Sequence, residues 1–206
     1  MTNPYCSVSQ VESYLLTDIS ASFETFVERY IEAASRFIDN YTQREFGGFA
    51  SETRYFFIDN PREINFDPAY SISSIVMYDY TNTDVQRTLA TTEYDLFPLN
   101  NTEPTGNSKY MLRIKPNSVG LISGRKVGIT ANWGISSDGS GTVPKDIEMA
   151  CIILTAETVR QGRDGGMPSS ESLGEYSVNF QKILETDLKL VNVREILNRY
   201  KLITVG

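Results

Sequence analysis

The sequence predicts an α+β protein, mainly helical. An N-terminal helical hairpin and a second long helix pack with a small antiparallel sheet, and a C-terminal strand and short helix follow on a flexible arm. Three observations carry this expectation. Residues 22–46 hold apolar side chains at unbroken helical spacing, residues 54–133 hold a series of short strand-like runs, and residues 162–173 are rich in Gly, Pro and Ser.

The first element is a short helix over 8–17. Val8, Val11, Tyr14 and Leu15 share a face, and Ser9 with Glu12 has the spacing of a capping box. Residues 18–21 turn into the main helix. Its stripe is Phe23, Phe26, Val27, Tyr30, Ile31, Ala34, Phe37, Ile38 and Tyr41, at i, i+3, i+4, i+7. Ser22 reads as its N-cap, and Gly47-Gly48 as the place where it stops. At roughly 1.5–3 kcal/mol per fully buried large side chain, this stripe is expected to be the floor on which the other elements pack.

Strand candidates follow at 54–58, 63–66, 73–80, 94–98, 110–115 and 126–133. The last alternates Val127, Ile129, Ala131 and Trp133 on one face, as a half-buried strand does. Polar stretches at 81–92, 100–108 and 135–142 read as surface loops. Pro144 suits the first position of a second long helix, to about Gln161, with Ile147, Ala150, Cys151, Leu154 and Thr158 as its inner stripe. Ile152 and Ile153 widen that stripe, so the helix is expected to be covered on two sides. Residues 174–180, GEYSVNF, alternate Tyr176, Val178 and Phe180 as an isolated strand. Residues 192–200 form a last helix with Ile196, Leu197 and Tyr200 on one face. No internal repeat and no domain boundary shows, so the chain reads as one domain over 1–206. Its core spans about 5–161, its arm 162–173, and its C-terminal strand and helix 174–206.

Composition removes several kinds of chemistry. The chain has 206 residues, a net charge of -7 and no histidine. Without histidine there is no Ser-His-Asp or Cys-His nucleophile and no His-containing metal site. The negative charge argues against broad binding to nucleic acid or to an anionic membrane. No apolar run approaches the roughly 20 residues of a membrane span. The opening MTNPYCSVSQ has neither a basic region nor an apolar core, so the sequence predicts no signal peptide and a chain made in a cytosol. Cys6 and Cys151 are then expected to be free thiols.

The remaining constellations are weak. Glu24, Glu28 and Glu32 recur at i, i+4, i+8, which allows a metal or general-acid cluster. A solvated face, with Glu32 and Arg36 as an ordinary pair, is the plainer account. Cys151 sits on an apolar stripe and reads as core, while Cys6 has no base near it. The glycines at 139 and 141 and at 165–166 lack the residues of a phosphate loop. Asp79, Asp84, Glu93 and Asp95 have no fixed spacing, so a two-carboxylate hydrolase has nothing specific behind it. The sequence predicts no catalytic residue, no cofactor and no metal. The feature that stands out is a strand on a tether, of the kind that completes a neighbour's sheet.

Four passages carry a resemblance. They are YCSVSQVESYLL with FVERYIEAASRFIDNYTQREF; YDLFPLN; VGITANWG with VPKDIEMACIILTAETVRQ; and SLGEYSVNF with VREILNRYK. In their order and spacing, across most of residues 5–201, they resemble the head–tail connector (adaptor) family of long-tailed bacteriophages. The loops at 81–92 and 100–108 are longer than that pattern. The resemblance implies a structural neck protein of the virion, assembled in the host cytoplasm and not an enzyme. It implies a homo-oligomeric ring, dodecameric, beneath the portal protein. The ring would extend the DNA channel without binding genomic DNA specifically, and would dock a stopper or tail-completion protein. On this expectation Glu24, Glu28, Glu32 and Asp39 face the channel. Tyr176, Val178, Phe180, Val193, Ile196, Leu197 and Tyr200 contact partners. The alternatives are a stopper or tail terminator and, further off, a carboxylate-based virion hydrolase.

Overall fold

The computed structural model describes residues 3–48, 50–81, 83–100, 108–164 and 191–202. The backbone falls into two compact units, Met1–Arg44 with Pro144–Gly206, and Glu45–Val143. The class is α+β, as the sequence predicts. Helix does not dominate, because the described residues of the second unit form a sheet of six strands.

The first unit is helical: α1 (Val8–Leu15), α2 (Ala21–Thr42), α3 (Lys145–Asp164) and α4 (Val191–Tyr200). A capping box starts α1, but it lies two residues earlier than expected. The Ser7 hydroxyl accepts the Gln10 N–H, and the Gln10 side chain takes the Ser7 N–H. α2 likewise begins earlier, with Ser20 in place of Ser22 at the N-cap. It ends well before Gly47-Gly48, because Gln43 turns left-handed at φ 56° and its N–H closes on the Asp39 carbonyl. Val27, Ile31, Ala34 and Ile38 are buried, while Phe23, Phe26, Tyr30, Phe37 and Tyr41 are only half-buried. The aromatic side of the expected stripe is thus a flank of the helix. Within this unit the floor is α3, which touches α1, α2 and α4. Ile147, Ala150, Cys151, Leu154, Ala156 and Val159 bury several of its sides.

The second unit contains β1 (Glu52–Phe57), β2 (Glu63–Tyr78), β3 (Val85–Thr88), β4 (Tyr94–Phe97), β5 (Lys109–Ile114) and β6 (Lys126–Trp133). All pairings between them are antiparallel, in the order β1-β6-β2-β5-β4, with β3 added to β2. Two expected strands, 63–66 and 73–80, are one strand of 16 residues. Asp67-Pro68 looks like a break because proline cannot donate to a ladder. The chain instead passes through it as an irregularity: the β5 register jumps from Asn65 to Ala69, and the Pro68 carbonyl accepts the Gly134 N–H at 2.7 Å. β3 was expected to be loop; its VQRT sequence is mostly exposed and carries no apolar alternation.

One buried cluster joins Ile64, Phe66, Ile75 and Met77 of β2, Leu112 and Ile114 of β5, and Val127, Ile129 and Trp133 of β6. Trp133 is its centre. Its ring meets Phe56 at 6.0 Å and Phe66 at 6.3 Å, its indole N–H donates to the Glu52 carbonyl at 2.9 Å, and the Arg54 guanidinium lies over it at 4.8 Å.

Candidate functional site

A concavity lies in the helical unit, beside α2. Pro4, Cys6, Ser7, Val8 and Ser9 form one wall; Glu24, Glu28, Ile31 and Glu32 form the other, around a space of about 520 Å³. It exists because the chain before α1 is strapped across α2. Ser35 is small enough to let backbone approach. The Ser35 hydroxyl donates back to the Ile31 carbonyl at 2.8 Å and accepts the Tyr5 N–H at 3.1 Å. Arg36 reaches the Asn3 carbonyl at 3.1 Å, stands 5.7 Å from the Tyr5 ring centre and pairs with Asp39 at 2.7 Å. The Tyr5 hydroxyl donates to the same Asp39 carboxylate. α1 is then held to α3 by Gln10, whose side-chain amide donates to Glu148. Lys145 and Gln10, in that order, hold the Glu148 carboxyl below its ordinary value.

The four acidic residues expected to act together are therefore separated. Glu24, Glu28 and Glu32 are exposed along the groove, whereas Asp39 is taken up by Arg36 and Tyr5. Arg36 pairs with Asp39 at i, i+3. The groove wall offers carboxylates, hydroxyls and some apolar surface. Such a wall repels phosphate and favours cationic groups. No group of three or more metal-ligating side chains occurs among the described residues. None of their helices is long and apolar enough to cross a membrane.

Asp79, Glu93, Asp95 and Asp138 of the sheet unit are turn anchors and ion-pair partners. Asp79 accepts from the Thr81 hydroxyl at 2.7 Å and from the Thr83 N–H at 3.2 Å. Glu93 takes the Ala90 N–H at 2.7 Å and pairs with Arg87; Asp95 pairs with Lys115 at 3.4 Å. Asp138 gathers the hydroxyls of Ser136, Ser140 and Thr142. Asp79, Glu93 and Asp138 are all held below the usual carboxylate range, first by the Thr81 hydroxyl, the Ala90 N–H and the Thr142 hydroxyl respectively. A glycosidase general acid needs the opposite, a carboxyl raised toward neutrality. The glycines of that loop serve its geometry. Gly141 has φ +97°, and a Cβ there would stand 2.8 Å from the Gly48 Cα.

The terminal helix is integrated into its own unit. Val193, Leu197 and Tyr200 are buried and Ile196 is half-buried. The Tyr200 hydroxyl donates to Asp146 at 2.9 Å, the Tyr41 hydroxyl donates to Asn198 at 2.8 Å, and the Leu202 N–H reaches the Thr42 carbonyl at 2.9 Å. Tyr176, Val178 and Phe180 lie outside the described residues, as does the expected arm from 165 to 173; its first residues, 162–164, instead continue α3.

Sequence reasoning missed the strap and the meeting of the two cysteines. Cys6 and Cys151 are both buried, with their sulfurs 3.4 Å apart. Separation of 145 positions leaves no local pattern to read.

The sequence matches no known family and no curated protein. The fold does match solved structures. A chain from the neck of an empty gene transfer agent particle, computed with C6 symmetry, aligns with TM-score 0.60 and 13% identity over 100% of this chain and 92% of its own. A chain from the virion of the native particle gives 0.59 at 14% identity, again over 100% and 92%. A third, from the native neck computed with C12 symmetry, gives 0.52 at 14% identity over 100% and 97%. At such identity the likeness is one of fold.

Proposed function

We infer that the protein is a structural component of the neck of a phage-like particle, a head–tail adaptor that assembles as a ring. The observation that carries this reading is the match of the whole chain, both units together, to chains of gene transfer agent particles, two of them from the neck. The symmetries of those necks, C6 and C12, support a ring of this chain, one of twelve copies. The carboxylates described above, held as anchors rather than as acids, agree with a structural role. The ring sits beneath a portal protein, extends the DNA channel, and docks a stopper or tail-completion protein. It is put together in the host cytoplasm and resides in the virion.

In this reading Glu24, Glu28 and Glu32 border the channel and keep passing DNA from adhering, since lysine or arginine there would grip phosphates. Asp39 contributes little, its charge being met by Arg36. Contact with the portal through α4 uses its outward residues, such as Glu195 and Arg199, because Val193, Leu197 and Tyr200 are enclosed in their own unit.

The test is the mass of the purified protein in solution, alone and mixed with a portal ring. Joining the portal as a stoichiometric ring supports the adaptor. A monomer indifferent to the portal overturns it and favours a stopper or terminator. Replacing Glu24, Glu28 and Glu32 together by Lys is expected to leave the ring intact and make it retain duplex DNA at low salt. A ring that still ignores DNA removes these residues from the channel.

A further inference from the structure

We propose that Cys6 and Cys151 are an oxidation site, a thiol pair that a small peroxide converts to an internal disulfide, fastening the N-terminal strap to α3. The inference stands apart from the neck reading, since it uses only the helical unit.

Four observations place the pair. The sulfurs are 3.4 Å apart. Closing to a bond of about 2.05 Å needs roughly 1.4 Å of approach, within reach of small side-chain and strap adjustments. Cys6 lies on the strap, where Tyr5 is pinned to Ser35, while Cys151 lies in the second turn of α3. The two ends are thus already held face to face, and the Ser35 hydroxyl stands 3.5 Å from the Cys151 sulfur. Access is one-sided: Cys6 lines the groove and keeps 8% of its surface exposed, whereas Cys151 is fully buried.

The chemistry balances with hydrogen peroxide as oxidant. The Cys6 sulfur attacks one peroxide oxygen, the O–O bond breaks, and the leaving hydroxide takes the thiol proton as water. The Cys6 sulfenic acid that results is attacked by the Cys151 sulfur. The S–S bond forms, the S–O bond breaks, and a second water leaves with the Cys151 proton. Two thiols and one peroxide give one disulfide and two waters. The pair is prepared for the second step. The Cys6 S–H donates to Cys151, which holds Cys151 below its ordinary value as the attacking sulfur of that step. The same bond pushes Cys6 above its own, so the first attack is the slow step and falls to Cys6 because it alone of the two borders the groove. Once the S–S bond closes, neither sulfur remains a thiol for a second peroxide, and the burial of Cys151 keeps a thiol of another chain from reaching it.

The test treats the reduced full-length protein with a small molar excess of hydrogen peroxide. Intact mass, denatured thiol titration and peptide mapping are then read. The expected result is a loss of two mass units, loss of both thiols together, and one linked peptide pair joining residues 6 and 151. The oxidised protein is expected to melt at a higher temperature, reversibly on reduction. Cys6→Ser is expected to gain no cross-link. A gain of sixteen or thirty-two mass units in the wild type, a cross-linked dimer, or two thiols that survive treatment would each overturn the proposal. The wild-type mass decides even if a serine variant fails to fold.

Discussion

Asp138 is held below its ordinary value by hydroxyls and N–H groups that exist only in the folded loop. The sign follows from linkage. A carboxyl whose folded pKa is depressed stabilises the fold fully above the unfolded value, near 3.9. That stabilisation is lost as pH falls through the lower folded value. Asp138→Asn is therefore expected to lower the melting temperature at pH 7, with the gap to wild type narrowing below about pH 4. A gap that stays constant from pH 7 to pH 3 would show that packing, not ionisation, is at work. Leu16 poses a different problem. It closes α1 at φ 54° and is 91% exposed, so it bears a left-handed backbone with little burial in return. Leu16→Gly is expected to raise stability by about 0.5–1 kcal/mol in denaturant titration. Unchanged or lower stability would mean the side chain makes contacts that matter to the fold. Neither feature was legible in the sequence: residues 135–142 read only as a polar surface loop, with nothing to show that its hydroxyls gather on Asp138, and nothing in SYLLT marks which leucine turns left-handed.

At the scale of elements, α4 is the sharpest case. The family resemblance implies that its apolar face meets partners, yet Leu197 is fully buried within the helical unit. Leu197→Ala is expected to cost about 2–5 kcal/mol, measured as a shift of the denaturant midpoint at constant slope. A change below about 0.5 kcal/mol would mean that the helix is not integrated and its apolar face is available to a partner. Periodicity tells that a face is apolar but not what covers it, and this is why the helix was readable and its role was not. The same limit appears in α2. Its nine-residue stripe was legible, but the structure buries the Val27, Ile31, Ala34 and Ile38 side and leaves the aromatic residues half-open. Strand β6 was read to its true ends because Val127, Ile129, Ala131 and Trp133 alternate without interruption. β2 was cut in two because proline is a strong local signal, and only the neighbouring ladder shows that the strand continues. β3 was missed since exposed polar strands carry no burial pattern.

At the scale of the whole molecule, the division at Arg44/Glu45 and Val143/Pro144 had no compositional mark, because the helical unit is assembled from both ends of the chain. What composition does carry is charge. Each copy bears -7 with no histidine to change it near neutrality. The ring proposed above would bring such copies side by side, and their mutual repulsion would oppose assembly most when it is least screened. The Debye length falls from about 30 Å at 0.01 M salt to about 8 Å at 0.15 M. Ring formation is thus expected to strengthen as salt rises over this range, the reverse of an interface held by exposed ion pairs. Sedimentation of the purified protein at fixed concentration, across that salt series, reads the effect directly. A shift from small species to ring with added salt supports net repulsion overcome by apolar contact. A ring that dissolves as salt rises would mean that opposite charges on neighbouring copies hold it together. The acidic groove of the helical unit would then be the first surface to test for a basic patch facing it.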